Sequence, residues 1–82
     1  MALGPAQIAI LCRLADGPAE GLDAHALVDP VVSDRKSAVK VLRTLHALGA
    51  VAPGTDQRWL ITATGRRAVE AQRAHEDWRA RR

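Results

Sequence analysis

The sequence predicts a mainly α-helical fold with one small β-hairpin, in the order helix, helix, helix, hairpin, helix. Apolar residues recur at spacings of three and four over several segments, which is the period of an amphipathic helix. After Gly49 this period is lost, and short runs of β-favouring residues flank a cluster of turn residues. The chain of 82 residues has room for one small core, so we treat residues 1–82 as a single domain.

The first two predicted helices are short. The first runs from Gln7 to Ala15 and ends at the Gly17-Pro18 turn, and its apolar face contains Ile8, Leu11, Cys12 and Ala15. Cys12 is the only cysteine, so it has no disulfide partner in the chain, and we expect it to be buried as a small hydrophobic residue. The segment from Leu22 to Val28 is predicted to form the second helix, ending before Pro30 with Ala24, Leu27 and Val28 facing inward.

The third predicted helix, residues 33–48, has two chemically different faces. Ser33 or Asp34 is expected to cap its first turn, and Gly49 suits the left-handed residue just beyond its end. The buried face is predicted to contain Ala38, Leu42 and Leu45. The opposite face carries Arg35, Lys36, Lys40 and Arg43, and no acidic residue follows Asp34 within the helix. This face is therefore expected to be cationic.

A hairpin and a long helix complete the prediction. Val51-Ala52 is expected to be a strand, residues 53–57 a turn, and Arg58–Ile61 the return strand, in which Trp59 fills the seam between hairpin and helices. Thr62 or Thr64 is expected to cap the last helix, which covers residues 63–80. A stripe along that helix contains Ala68, Ala71, His75 and Trp78.

The charge of the chain is distributed unevenly. The net charge is +3, but residues 1–32 carry one arginine against four acidic residues, whereas residues 33–82 carry eleven lysines and arginines against five. A chain divided in this way presents one basic surface, which suits a polyanionic partner approached from one side.

Other classes of function find little support in the sequence. We see no nucleophile in an elbow, no glycine-rich phosphate loop and no carboxylate pair at a catalytic spacing, so we do not expect an enzyme. His25, His46 and His75 are scattered over three predicted helices, so we expect no metal and no other cofactor. The longest apolar run, Ile8 to Cys12, is too short to cross a bilayer, and no leader is recognisable, so we expect a cytoplasmic protein without a membrane partner.

Three runs of sequence carry a resemblance to a known family. They are ILCRLADGP at residues 10–18, LRTLHALGAV at residues 42–51 and WLITATGR at residues 59–66. In this order and at these distances they resemble the winged helix-turn-helix transcriptional regulators, especially the PadR and MarR families. The resemblance implies a helix-turn-helix core and wing over residues 7–62. The stripe along the C-terminal helix, residues 63–80, suggests separately that this helix is a dimerisation element.

The basic helix and the resemblance together predict a sequence-specific regulator that binds double-stranded DNA. The third helix would enter the major groove, where arginine and lysine reach guanine O6 and N7. The predicted DNA contacts are Ser33, Arg35, Lys36, Ser37, Lys40, Arg43 and, at the base of the hairpin, Arg58. A homodimer is expected through Ala71, His75 and Trp78, because a two-fold axis supplies the second recognition helix. The alternative is a winged-helix module that docks on another protein without specific DNA readout.

Overall fold

The computed structural model describes residues 3–28 and 34–80. Over these residues the chain forms three α-helices and three short strands, with single 3₁₀ turns at His25–Leu27 and Thr55–Gln57. In chain order the elements are α1 (Pro5–Asp16), β1 (Leu22–Asp23), α2 (Arg35–Ala47), β2 (Val51–Pro53), β3 (Arg58–Ile61) and α3 (Ala63–Ala80). A mainly helical fold with a small antiparallel sheet, as the sequence predicts, is therefore confirmed. None of the helices in this described part is long and apolar enough to cross a bilayer.

The sheet has three strands in the order β1-β3-β2, all antiparallel. The predicted hairpin is confirmed as β2 and β3, with Val51 opposite Ile61 and Pro53 opposite Trp59. The remaining strand, β1, was not predicted. It pairs with β3, with Leu22 opposite Trp59.

The predicted helix from Leu22 to Val28 is therefore wrong. Leu22 and Asp23 pair with β3, and only the single 3₁₀ turn His25–Leu27 follows. The Asp23 carboxylate accepts a hydrogen bond from the Ala26 backbone N–H at 2.8 Å, so Asp23 caps the 3₁₀ turn that follows it and does not lie inside a helix that begins at Leu22. Ala24 and Leu27 are nevertheless buried, as their apolar character predicts. Residues 29–33 lie outside the described residues.

The core lies where α1 packs against both α2 and α3. Its fully buried large side chains are Ile10, Leu11, Leu27, Leu42, Leu45 and Val51. Helix α1 begins at Pro5, two residues before the predicted start, because proline suits the first helical position and the Gln7 amide oxygen accepts a hydrogen bond from the Gly4 N–H. Cys12 packs against the core but is half-buried, so it is less buried than the sequence predicts.

Helix α3 is anchored at its N-terminal end. Thr62 caps it, because its hydroxyl oxygen accepts a hydrogen bond from the Gly65 N–H at 3.2 Å and the same hydroxyl donates to the Gly49 carbonyl at 2.6 Å. A side chain at Gly65 would collide with the Ala50 carbonyl oxygen, so glycine permits the close approach of α3 to β2. Beyond the buried Val69, most side chains of α3 are exposed, and an ion pair of 2.8 Å between Arg73 and Asp16 ties this part to α1.

Candidate functional site

The ends of α2 are fixed by local hydrogen bonds. The Asp34 carboxylate accepts a hydrogen bond of 2.7 Å from the Ser37 backbone N–H, and this bond holds the pKa of the Asp34 carboxyl below its usual value. At the other end Gly49 adopts a φ of 78° and donates to the His46 carbonyl, while Ala50 donates to the Leu45 carbonyl. This pair of bonds is a Schellman motif, so both predicted helix ends are confirmed, with Asp34 as the cap. Ser33 lies outside the described residues.

The solvent-facing side of α2 is cationic. Arg35, Lys36, Lys40 and Arg43 are all exposed, whereas Ala38, Leu42 and Leu45 on the opposite side are fully buried. Within residues 3–28 and 34–80, the two ion pairs that form join Arg58 to Glu20 and Arg73 to Asp16, so none of the four cations of α2 is neutralised by an ion pair. Together with Val39 and Thr44 they line an open surface depression, which we call the α2 groove. Ser37 is half-buried beside it.

Arg58 is not brought together with these cations. Side chains alternate between the two faces of a strand, and the neighbouring Trp59 faces α2, where its ring lies 6.0 Å from that of His46 in an edge-to-face arrangement. Arg58 therefore projects from the other face of β3, and its guanidinium lies 3.8 Å from the Glu20 carboxylate. Trp59 itself is half-buried against the core, in the seam where the sequence predicted it.

A second depression lies between α2 and the hairpin turn, and we call it the turn cavity. It has a volume of about 500 Å³. Its lining comes from β1 and the turn after it, from α2, and from the hairpin: Asp23, Ala24, His25, Arg35, Val39, Arg43, Asp56, Gln57 and Trp59. Arg35, Val39 and Arg43 therefore belong to both the α2 groove and the turn cavity.

The hairpin turn, which contributes to the lining of the turn cavity, has an unusual backbone. Asp56 and Gln57 have φ values of 54° and 60°, in the left-handed region that residues other than glycine, asparagine and aspartate seldom adopt. No pattern in the sequence marks Asp56, Gln57 or His25 as binding residues. Their proximity depends on the pairing of β1 with β3, which the apolar pattern does not signal.

The residues predicted to form a dimer interface lie on the distal part of α3. Ala71, His75 and Trp78 are exposed, and 57% of the Trp78 surface is accessible to solvent. The rings of His75 and Trp78 stack with centroids 6.2 Å apart. Three residues of one stripe therefore form a continuous surface of small and aromatic side chains on α3.

No cluster of three or more His, Cys, Asp or Glu side chains with the geometry of a metal site occurs in the described parts of the chain. The chain matches no protein-family model, and neither a curated protein nor a solved structure shows significant similarity to it. Any functional conclusion must therefore rest on the α2 groove, the turn cavity and the exposed part of α3.

Proposed function

We propose that the chain is a winged helix-turn-helix protein of the PadR or MarR type that binds double-stranded DNA through α2. The observation that carries the proposal is the exposed face of α2, where four cations lie on one side of a helix without an acidic partner among the described residues. A basic surface of this kind attracts the phosphate backbone, and a helix of this size fits the major groove. In this proposal the 3₁₀ turn His25–Leu27 stands in place of the first helix of the helix-turn-helix pair, β2 and β3 form the wing, and the protein acts on DNA in the cytoplasm.

The cations of α2 would contact different parts of the DNA, depending on their position along the helix. Arg35 and Lys36 lie in the first turn, the part of a recognition helix that usually reaches base edges. Arg35 would bind guanine O6 and N7 in a bidentate manner, and the hydroxyls of Ser37 and, before the helix, Ser33 would hold phosphate or base oxygens. Lys40 and Arg43 lie one and two turns further on, so they would contact the phosphate backbone.

Arg58 would contribute less to DNA binding than the sequence predicts. Its guanidinium pairs with Glu20 on the face of β3 that is turned away from α2. A role on the flanking phosphate backbone would require Arg58 to leave Glu20. Because a partly exposed ion pair at 3.8 Å is weak, this exchange costs little.

A second copy of the chain is part of the proposal. A single helix reads few base pairs, whereas a two-fold dimer places two recognition helices about one DNA turn apart. The stripe of Ala71, His75 and Trp78 suits such an interface, because small residues let helices approach closely and tryptophan contributes large buried area.

Fluorescence anisotropy of labelled duplexes tests the proposal with matched variants. Lys40→Gln removes one charge from the α2 groove, and Arg67→Gln removes one charge from an exposed position on α3 outside both depressions. We expect Lys40→Gln to weaken binding to all duplexes alike and Arg67→Gln to have little effect. Arg35→Ala should cost about 1–3 kcal/mol on the preferred site and relax the preference at one base pair.

If the chain is instead a protein-docking module, the same binding experiment should give the opposite result. If the wild-type chain fails to bind any duplex at low salt, or if both variants weaken binding equally, the α2 groove is not a DNA-binding surface. A protein partner with an acidic surface would then be the better explanation of the same charges.

A further inference from the structure

We propose that Val39 is a specificity-determining residue that contacts the 5-methyl group of a thymine in the major groove, an inference that rests on the proposed function. Among the described residues that line the α2 groove, Val39 alone has a wholly apolar side chain. The others are the four cations of α2 and Thr44. An apolar side chain adds nothing to the attraction of phosphate, so the charge of the groove does not explain Val39.

Val39 lies between two of the cations along α2. Arg35, Val39 and Arg43 are spaced four residues apart, so they form one row on the helix surface, and all three line both the α2 groove and the turn cavity. The helical rise places Val39 about 6 Å along the axis from Arg35, which is about two base-pair steps of DNA. A base pair next to the one that Arg35 contacts therefore lies within reach of Val39.

The Val39 side chain is held in place by the fold. It is half-buried and packs against the core, whereas Arg35 and Arg43 are exposed. Valine in a helix strongly prefers one χ1 rotamer, because its Cβ is branched. The methyl groups of Val39 are therefore presented at a fixed position, which suits a contact that depends on shape.

The major groove presents one methyl group, on C5 of thymine, among hydrogen-bond donors and acceptors. An apolar side chain that covers a donor or acceptor displaces water without replacing its hydrogen bond, which costs free energy. Against the thymine methyl, the same side chain buries apolar surface on both partners. Val39 thus selects thymine by attraction to its methyl and by exclusion of polar base edges.

Methylated cytosine presents the same apolar group as thymine. 5-Methylcytosine carries a methyl on the ring carbon that bears the methyl of thymine, so Val39 contacts it in the same way. Where cytosine stands opposite Val39, its methylation strengthens binding. The contact therefore makes DNA binding by the chain responsive to cytosine methylation.

Uracil substitution in the preferred duplex tests the inference. The duplex is first selected by the wild-type chain from a randomised library, and its thymines are then replaced one at a time by uracil, which lacks only the methyl. We expect a thymine on one strand within about two base pairs of the position where Arg35→Ala relaxes the preference. Uracil there should weaken wild-type binding about fourfold, the effect of one buried methyl-sized group.

Val39→Ala and Val41→Ala form a matched pair of variants. Both residues are half-buried valines of α2 that pack against the core, but Val41 lines neither depression. Val39→Ala should bind the thymine and uracil duplexes equally, whereas Val41→Ala should keep the about fourfold ratio. Because the ratio compares two duplexes on one protein, a general loss of stability or affinity does not imitate the expected result.

A second pair of duplexes carries cytosine or 5-methylcytosine in place of the same thymine. Methylation should strengthen wild-type binding about fourfold and leave binding by Val39→Ala unchanged. Equal wild-type affinity for the two duplexes would contradict the contact, because the methyl is their only difference.

The outcomes separate this inference from the proposed function. A selected duplex in which no thymine methyl affects affinity, or a thymine-to-uracil ratio that Val39→Ala leaves unchanged, would overturn the inference while the chain still binds DNA. Loss of the ratio in Val41→Ala as well would also overturn it, since Val41 lies outside the groove. A chain that binds no duplex would contradict both.

Discussion

At the scale of single residues, Asp34 and Thr62 hold the candidate site in place. Asp34 caps α2 through the Ser37 N–H, and Thr62 joins the Gly49 carbonyl at the end of α2 to the first turn of α3. Both caps were predictable, because a capping side chain acts on a backbone group only three residues away. The long-range bond from Thr62 to Gly49 was not predictable, since it depends on the return of the hairpin.

The Asp34 cap makes the stability of the chain depend on acid pH. The hydrogen bond from Ser37 lowers the pKa of Asp34 in the folded state, so its stabilising effect is present above the unfolded pKa and is lost as the pH falls through the folded pKa. The Asp34→Asn variant has no titratable group at this position. The melting temperature of the wild type should therefore exceed that of the variant at neutral pH, and the difference should shrink below about pH 4.

A matched variant controls this pH experiment. Glu70→Gln removes one exposed carboxylate in the middle of α3, away from any helix cap. Subtracting its effect removes the general consequence of losing one negative charge. A difference between wild type and Asp34→Asn that stays constant over the acid range would contradict the capping role.

The left-handed backbone at Gln57 predicts a stabilising substitution. A non-glycine residue at a φ of 60° costs about 1–2 kcal/mol, so Gln57→Gly should raise the free energy of unfolding by about 1 kcal/mol. Thr55→Gly in the same turn is the control, because Thr55 does not have a positive φ and glycine there only adds freedom to the unfolded chain. Urea denaturation measures both, and equal destabilisation by the two glycines would show that the turn is not strained.

At the scale of elements, prediction succeeded where a pattern is long and local. The third predicted helix, the hairpin and the last helix all form within two residues of their expected bounds. The helix prediction for Leu22 to Val28 was wrong, because a seven-residue apolar pattern fits a short helix as well as a strand followed by a turn. Pairing with Trp59 on β3, a contact between distant parts of the chain, decides between them.

Trp59 joins the sheet to α2, so its removal should loosen the hairpin. Trp59→Ala should lower the free energy of unfolding, but by less than the about 3–5 kcal/mol of a fully buried tryptophan, because the ring is half-buried. Trp59→Phe retains an aromatic ring, so it should lower the free energy of unfolding by less than Trp59→Ala does. Urea denaturation followed by circular dichroism checks both, and unchanged stability in Trp59→Ala would show that the ring does not support the fold.

At the scale of the whole molecule, the proposal of a second copy rests on the exposed distal part of α3. The chain extends 43 Å along its longest axis and 25 Å along the next, and the distal side chains of α3 beyond Val69 are mostly exposed. The sequence could predict the stripe of Ala71, His75 and Trp78 from its spacing. It could not predict whether a partner covers the stripe, because the periodicity of one helix does not distinguish an interface from a solvent-exposed face.

Substitution on two sides of α3 tests the homodimer. Trp78→Glu places a charge in the proposed interface and should shift the chain to monomer in sedimentation velocity at micromolar concentration. Ala80→Glu introduces the same charge two residues away, about 200° around the helix, and should leave the dimer intact. A wild-type chain that sediments as a monomer, or equal disruption by both variants, would contradict an interface through this stripe.

The salt dependence of binding to a random-sequence duplex tests the central claim most directly. If the four cations of α2 each displace counterions from one phosphate, the logarithm of the association constant should fall with the logarithm of the salt concentration, with a slope of about −3 to −4 per chain. Lys40→Gln should make this slope shallower by about 1. A slope near zero, or one that Lys40→Gln leaves unchanged, would contradict the assignment of α2 as the DNA-binding helix.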